Sequence, residues 1–269
     1  MKITRINVYQ LDMPLTEPYY LSGGRLKFEK LDSTFVEIHT DEGLVGWGEG
    51  CPWGHTYLPA HGRGIRAGLE ILAPALIGQD PRSLDHINRL MDVILPGHPY
   101  VKSPLDMACW DITGQASNMP LWQMMGGDAA TPVAVNSSIS TGTPDQMIAL
   151  IRRASQNGYR THSAKIGGSD TTADIARIEA ISAALPDHEN VTFDVNRAWT
   201  PGTAIQVLNS VGARDWVEQP CETLDQCAHV ARRVQNPIML DECMHTFGDH
   251  LDAWKIGACE GVKVKPNRV

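Results

Sequence analysis

Ser163-Ala164-Lys165, Thr192-Phe193-Asp194, Trp216-Val217-Glu218 and Met239-Leu240-Asp241-Glu242 end apolar runs with charged groups, and Val262-Lys263-Val264-Lys265 alternates valine with lysine. Similar runs fall near 132–137, 160–166, 190–196, 214–219, 237–241 and 261–265, with room for one helix between them, for example over 172–185 and 223–233. Strands alternating with single helices predict right-handed βαβ units and a parallel sheet. Either a (β/α) barrel or a doubly wound sheet satisfies that pattern. No GxGxxG follows a strand, which weighs against the dinucleotide-binding version of the open sheet. The expected fold is therefore α/β, a TIM-type barrel. An eight-stranded barrel needs two more strands than these six runs supply, so the sequence is expected to be a longer protein's barrel truncated after strand 6.

From Lys165 the charged strand ends are spaced 29, 24, 23 and 24 residues apart, about one βα unit each. In a barrel that spacing brings Lys165, Asp194, Glu218, Asp241 and Lys265 to the C-terminal rim, where active sites form. Three converging carboxylates repel one another unless a cation neutralises them, and an all-oxygen set favours Mg²⁺ over zinc. Asp194, Glu218 and Asp241 are thus the candidate metal ligands, with Lys165 and Lys265 as candidate bases. A lysine desolvated beside a cation is expected to have a lowered pKa. The competing expectation is that the acids and lysines form structural ion pairs. Asn196 and Glu242 lie beside the ligands and are candidates for orienting metal-bound water or Lys165, or plain strand-end caps. His162 is either a core histidine or a donor behind the site. Gly167-Gly168 either makes room beside the site or ends the strand.

Upstream, residues 2–12 and 31–40 read as strands, with a hairpin partner in Leu44-Val45-Gly46-Trp47-Gly48-Glu49. Residues 60–76, 84–95 and 103–118 have helical spacing, and Pro104 is expected near a helix start. The chain thus divides into an α+β module over 1–128 and the barrel units over 129–269. The loop Glu49-Gly50-Cys51-Pro52-Trp53-Gly54-His55-Thr56-Tyr57, with Ser22-Gly23-Gly24-Arg25, either caps a small-substrate pocket or is a packed connector.

The bulk properties exclude more than they identify. With 23 Lys+Arg against 31 Asp+Glu the net charge is -8, which disfavours nucleic acid and anionic membrane as partners. The six cysteines form no CxxC pair and read as free thiols of a cytoplasmic protein, with Cys109 and Cys259 in the core. The N-terminus lacks the apolar segment of a signal peptide, and no apolar stretch approaches transmembrane length.

As a set, Lys165 within His-Ser-Ala-Lys-Ile-Gly-Gly, Asp194-Val195-Asn196, Glu218-Gln219-Pro220, Asp241-Glu242 and Lys265-Pro266-Asn267-Arg268-Val269 resembles the enolase superfamily, of the mandelate racemase or muconate lactonizing enzyme type. The resemblance covers the whole chain. It implies Mg²⁺ held by Asp194, Glu218 and Asp241, with Lys165 and Lys265 as the acid–base pair, and an N-terminal module whose loops close over the substrate. Ser163 stands where the resembled enzymes carry the first lysine of Lys-x-Lys, and implies a contact to a substrate hydroxyl. Leu21 to Arg25, the run from Glu49 through Trp53, His55 and Tyr57 to His61, and His162 to Lys165 are similar to cis-3-hydroxy-L-proline dehydratases, with betaine epimerases as further relatives. A small amino-acid substrate, a Mg²⁺-dependent dehydration and a homo-oligomer are what the resemblance implies; 2-epimerisation of a proline or its betaine, or a catalytically silent binding protein, are the alternatives.

Overall fold

In a computed structural model, residues 1–168, 170–212 and 214–267 are described; Ser169, Ala213, Arg268 and Val269, and with them the end of the last motif and of the expected second domain, lie outside the described residues. The chain separates into two units. Met1–Thr16 and Phe28–Pro132 make up most of the first, and Glu17–Lys27 with Val133–Lys265 most of the second.

The first unit is built on a three-stranded sheet in the order β1 (Ile3–Leu21), β2 (Leu26–Thr40), β3 (Val45–Gly50), followed by α1 (Gly62–Leu76), α2 (Leu84–Ile94), α3 (Pro99–Ser117) and the short α4 (Leu121–Met124). The first two strands are longer than expected and form one long hairpin, whose tip, Glu17–Lys27, groups with the second unit. Helix α3 also begins earlier than the sequence reading placed it. Pro99, not Pro104, takes the first turn, where a missing N–H costs little, and Pro104 lies inside the helix.

β3 pairs antiparallel with β2, Phe35 opposite Glu49 and Glu37 opposite Trp47. Its glycines alternate with larger residues, so one face of the strand is bare backbone, and α3 lies directly on it. A Cβ on Gly48 would stand 2.0 Å from the Pro104 carbonyl oxygen, and one on Gly46 2.2 Å from that of Ala108.

The second unit is a parallel sheet in the order β4 (Asn136–Ile139), β5 (Thr161–Lys165), β6 (Asn190–Asp194), β7 (Trp216–Glu218), β8 (Ile238–Leu240), β9 (Gly261–Val262). Each strand lies beside its predecessor, which is barrel order; a doubly wound sheet would reverse direction part-way. The helices between are α5 (Pro144–Gln156), α6 (Thr171–Ala184), α7 (Pro201–Ser210), α8 (Leu224–Ala231) and α9 (Phe247–Ile256). Thr143, Asp170, Thr200, Thr223 and Thr246 cap their N-termini, each side chain accepting from a first-turn N–H; a cap of this kind contributes about 1 kcal/mol.

Alternation along the strands separates core from chemistry. Ala164, Phe193, Val217, Ile238 and Leu240 join Met147, Ile178, Val207 and Val230 from the helices in one apolar cluster. The intervening residues, Ser163 and Lys165, Thr192 and Asp194, Trp216 and Glu218, take the other face. All six cysteines are unpaired. Cys109 is fully buried, whereas Cys259 is only partly buried at the edge of the second unit's core.

Because the Cβ of alanine at position 48 has only backbone to displace, Gly48→Ala should destabilise the protein by about 1–3 kcal/mol or more, seen as a lowered urea midpoint. Gly43→Ala tests a different cost: its added Cβ meets nothing within 4 Å, so only its positive φ opposes the change.

Candidate active site

Strand pairing alone assembles the site. In the parallel register Lys165 lies beside Asp194 and Asp194 beside Glu218. Glu218 pairs with Met239, so Asp241 follows one pleat further along the same face. Lys263 extends β9, its N–H donating to the Leu240 carbonyl at 2.7 Å.

Each acid carries a lysine. Lys165 Nζ donates to Asp194 Oδ2, Lys265 Nζ lies 2.6 Å from Asp241 Oδ2, and Lys263 Nζ lies 3.4 Å from Glu218 Oε2. Among the described residues the carboxylates are not gathered into a ready-made coordination shell. The expected structural ion pairs are therefore present, on the same groups as the expected ligand set.

Burial makes these charges matter. Asp194, Glu218, Asp241 and Glu242 are all almost wholly buried. Burial, reinforced by the Asp194 charge, pushes the Glu218 carboxyl well above the usual glutamate range, and Glu242 is raised by burial and by Asp194 and Asp241. Burial pulls the Lys165 pKa down, but the Asp194 carboxylate, with Tyr19 and Glu218, outweighs burial and holds the ammonium above the ordinary lysine value.

Residues beyond the strand ends fix the row. The Asn196 N–H donates to Asp194 Oδ1 at 3.0 Å, and its side-chain amide donates to Glu242 Oε1 at 3.0 Å. Asn196 and Glu242 thus belong to one buried network. Gln219 was not anticipated. Its Oε1 accepts the Asp241 N–H at 2.8 Å and its amide donates to the Cys221 carbonyl at 2.9 Å. Lys263 and Gln219 each stood in a quoted motif without a role; a polar residue directly after or two before a candidate was the available signal.

Ser163 is buried on the same face as Lys165, opposite Ser138 in the register. Ser22 is buried too, its hydroxyl donating to the Asn196 carbonyl at 3.2 Å. His162 points the other way, held between Ser137 Oγ at 2.7 Å and Glu189 Oε2 at 3.0 Å, and is a core histidine. Gly167 and Gly168 turn the chain, their N–H groups donating to the buried Asp174 carboxylate. Trp53, His55 and Tyr57 belong to the first unit. There Trp53 meets Phe28 edge to face at 5.4 Å and Tyr57 is buried, while His55 is exposed.

Residues 5–126 match the mandelate racemase / muconate lactonizing enzyme N-terminal domain, and residues 146–269 the enolase C-terminal domain-like family. The chain belongs to the mandelate racemase/muconate lactonizing branch of the enolase superfamily. Among members of that superfamily, a cis-3-hydroxy-L-proline dehydratase of Roseibium aggregatum is 44% identical over 243 residues, which are 90% of this chain and 66% of the dehydratase. An N-succinyl-L-Arg/Lys racemase of Bacillus cereus is 31% identical over 98% of this chain and 72% of its own. The crystal structure of an enolase superfamily member from Roseovarius nubinhibens, complexed with magnesium, superposes with a TM-score of 0.94 at 72% identity, covering all of this chain and 72% of that one. The chain thus spans about two thirds to three quarters of these relatives.

A carboxyl whose pKa is higher folded than unfolded favours the folded state below its unfolded value and loses that contribution as pH rises through the folded value. Chelator-treated protein should therefore lose thermal stability from the ordinary glutamate range, about pH 4.3, into mild alkali. Glu218→Gln and Glu242→Gln should each flatten that decline, by about 1 kcal/mol for each unit of raised pKa. Parallel pH profiles for variants and wild type would contradict the raised carboxyls.

Proposed function

We propose that this chain is a Mg²⁺-dependent dehydratase of cis-3-hydroxy-L-proline, forming 1-pyrroline-2-carboxylate, in a cytoplasmic homo-oligomer. The observation that carries the reading is that Lys165, at the end of β5, and Lys265, three residues beyond β9, are each held by a different acid of the same row. The dehydratase of Roseibium aggregatum, 44% identical, supports the choice of substrate, and six unpaired cysteines suit the compartment.

Asp194, Glu218 and Asp241 fit a hard divalent cation. They offer only oxygen, they are already matched by positive charge, and Glu218 Oε2 is buried without accepting a hydrogen bond among the described residues. Held by Asp194, Glu218 and Asp241, Mg²⁺ would supply positive charge for a substrate carboxylate. Asn196, Gln219 and Glu242 keep the row in place.

The chain's own groups then move the protons. In cis-3-hydroxy-L-proline the carboxylate and the hydroxyl share a ring face, so the C2 hydrogen and the hydroxyl lie on opposite faces. In its unprotonated amine form, Lys165 takes the C2 proton from one side and becomes the ammonium while charge builds on the carboxylate. The C3–O bond breaks and Lys265 protonates the departing hydroxyl from the other side, releasing water. The enamine tautomerises to the imine. Ser163, where the resembled enzymes carry a further lysine, offers a hydroxyl contact to the substrate. A second reading, 2-epimerisation of proline, a hydroxyproline or a betaine, uses the same two lysines, and the racemase of Bacillus cereus favours it.

With full-length protein and Mg²⁺, cis-3-hydroxy-L-proline should give an imine trapped by o-aminobenzaldehyde; inversion at C2 without imine would select the epimerase. Lys165→Ala should slow exchange of the C2 hydrogen with deuterated solvent by about 10²–10⁴-fold. Lys265→Ala should impair imine formation more than exchange. Undiminished exchange without Lys165 would remove it as the base.

A further inference from the structure

Four nearly consecutive residues of the hairpin tip, within Glu17–Lys27, are stitched to the C-terminal ends of the barrel strands. The Tyr19 hydroxyl is hydrogen-bonded to Ser138 Oγ at the end of β4. The Tyr20 N–H donates to Ser140 Oγ at 3.0 Å, and its carbonyl accepts the Thr141 N–H at 3.4 Å. Ser22 is bound to the Asn196 carbonyl beyond β6. Gly23, at φ +64°, sits so close to the turn after β5 that a Cβ would stand 2.0 Å from the Gly167 carbonyl oxygen. The tip is therefore a fixed wall of the second unit.

That anchoring determines which end of Tyr19 meets the site. Ser138 lies opposite Ser163 in the register, on the face that carries Lys165. Burial raises the pKa of the Tyr19 phenol, and the Lys165 ammonium opposes that rise. So the polar edge of the ring, held by Ser138, is what stands beside the lysine; an aromatic face would instead attract a quaternary ammonium.

We propose that Tyr19, positioned by Ser138, is a specificity-determining residue whose phenol oxygen accepts a hydrogen bond from the substrate's ring N–H. The inference rests on the reading of the substrate as a cyclic amino carboxylate and deepens it. With the carboxylate on the acid row and C2 facing Lys165, the ring nitrogen is the polar atom bonded to C2 that the Lys165 side can reach; the 3-hydroxyl lies on the opposite face. An N,N-dimethyl betaine has no N–H to donate and brings two methyl groups to the same place. A site that hydrogen-bonds an N–H binds the analogue lacking it more weakly, because that contact is missing. The Tyr19–Ser138 pair therefore selects free imino acids over their betaines.

The test is equilibrium binding of L-proline and of L-proline betaine to the full-length, Mg²⁺-loaded protein by calorimetry, for wild type, Tyr19→Phe and Ser138→Ala. Wild type should bind proline at least about tenfold more tightly than the betaine, the size expected for a hydrogen bond to a charged group. Tyr19→Phe should lose most of that ratio through weaker proline binding, and Ser138→Ala part of it, with Mg²⁺ affinity unchanged. Wild type that binds both ligands equally, prefers the betaine or binds neither overturns the proposal, as does a ratio unmoved in Tyr19→Phe. Imine formation, read separately on cis-3-hydroxy-L-proline, judges the dehydratase assignment: its absence alongside an intact binding ratio would sink that assignment and leave the role of Tyr19 standing.

Discussion

Mutual repulsion of strand-end carboxylates is the constraint around which the second unit is organised. Asp194 and Glu218 are lateral neighbours in a parallel ladder, both almost wholly buried, and Asp241 follows on the next strand. Unpaired, such charges would be too costly to bury. The chain answers with one ammonium per acid, from Lys165, Lys263 and Lys265. The balance is incomplete, because Glu218 and Glu242 still have raised pKa values. The same pairing keeps Lys165 charged despite its burial, so the groups proposed to work as base and acid are each restrained by a proposed metal ligand. Folding stability and chemistry thus draw on one set of contacts, and a cation that takes the acids changes both.

The architecture was legible in the sequence because the βα repeat writes itself twice, as apolar runs at strand spacing and as charges in phase at their ends. Phase is what single residues lack: Asp174 is as buried as Asp194, yet it lies on a helix and binds the N–H groups of Gly167 and Gly168. The doubly wound alternative could not be dismissed from periodicity, since strand order is a property of pairing and not of pattern. His162 shows the opposite limit. One residue's shift in a strand reverses the face, and that parity puts it in the Ser137–Glu189 network and Ser163 on the side of Lys165.

Tyr19 had no sequence signal. It lies in a strand whose neighbours are mostly exposed, so alternation says nothing about its use. Its position depends on contacts made more than a hundred residues away, with Ser138 and Ser140. Likewise Pro104 was read as a helix start on local grounds, whereas Pro99 supplies that signal one turn earlier. Such misreadings share a cause: local preference fixes what a residue can do, and tertiary packing decides which of those options is used.

The precision of the acid row comes from backbone that is locally unfavourable. Asn196, Arg197 and Gln219 all have positive φ, at 46°, 63° and 40°, within three residues after Asp194 or Glu218. For residues other than glycine such conformations cost about 1 kcal/mol or more each and persist only where the surroundings over-determine them. Here the surroundings are hydrogen bonds that run from one strand end to another: the Arg197 N–H to the Gln219 carbonyl at 2.9 Å, Asn196 to Glu242, and Gln219 to the Asp241 N–H. Each turn is held by the loop after a different acid, so no acid's backbone can relax without disturbing the others. In the proposed reaction, preorganisation therefore resides in the strained turns behind the acids rather than in the acids themselves.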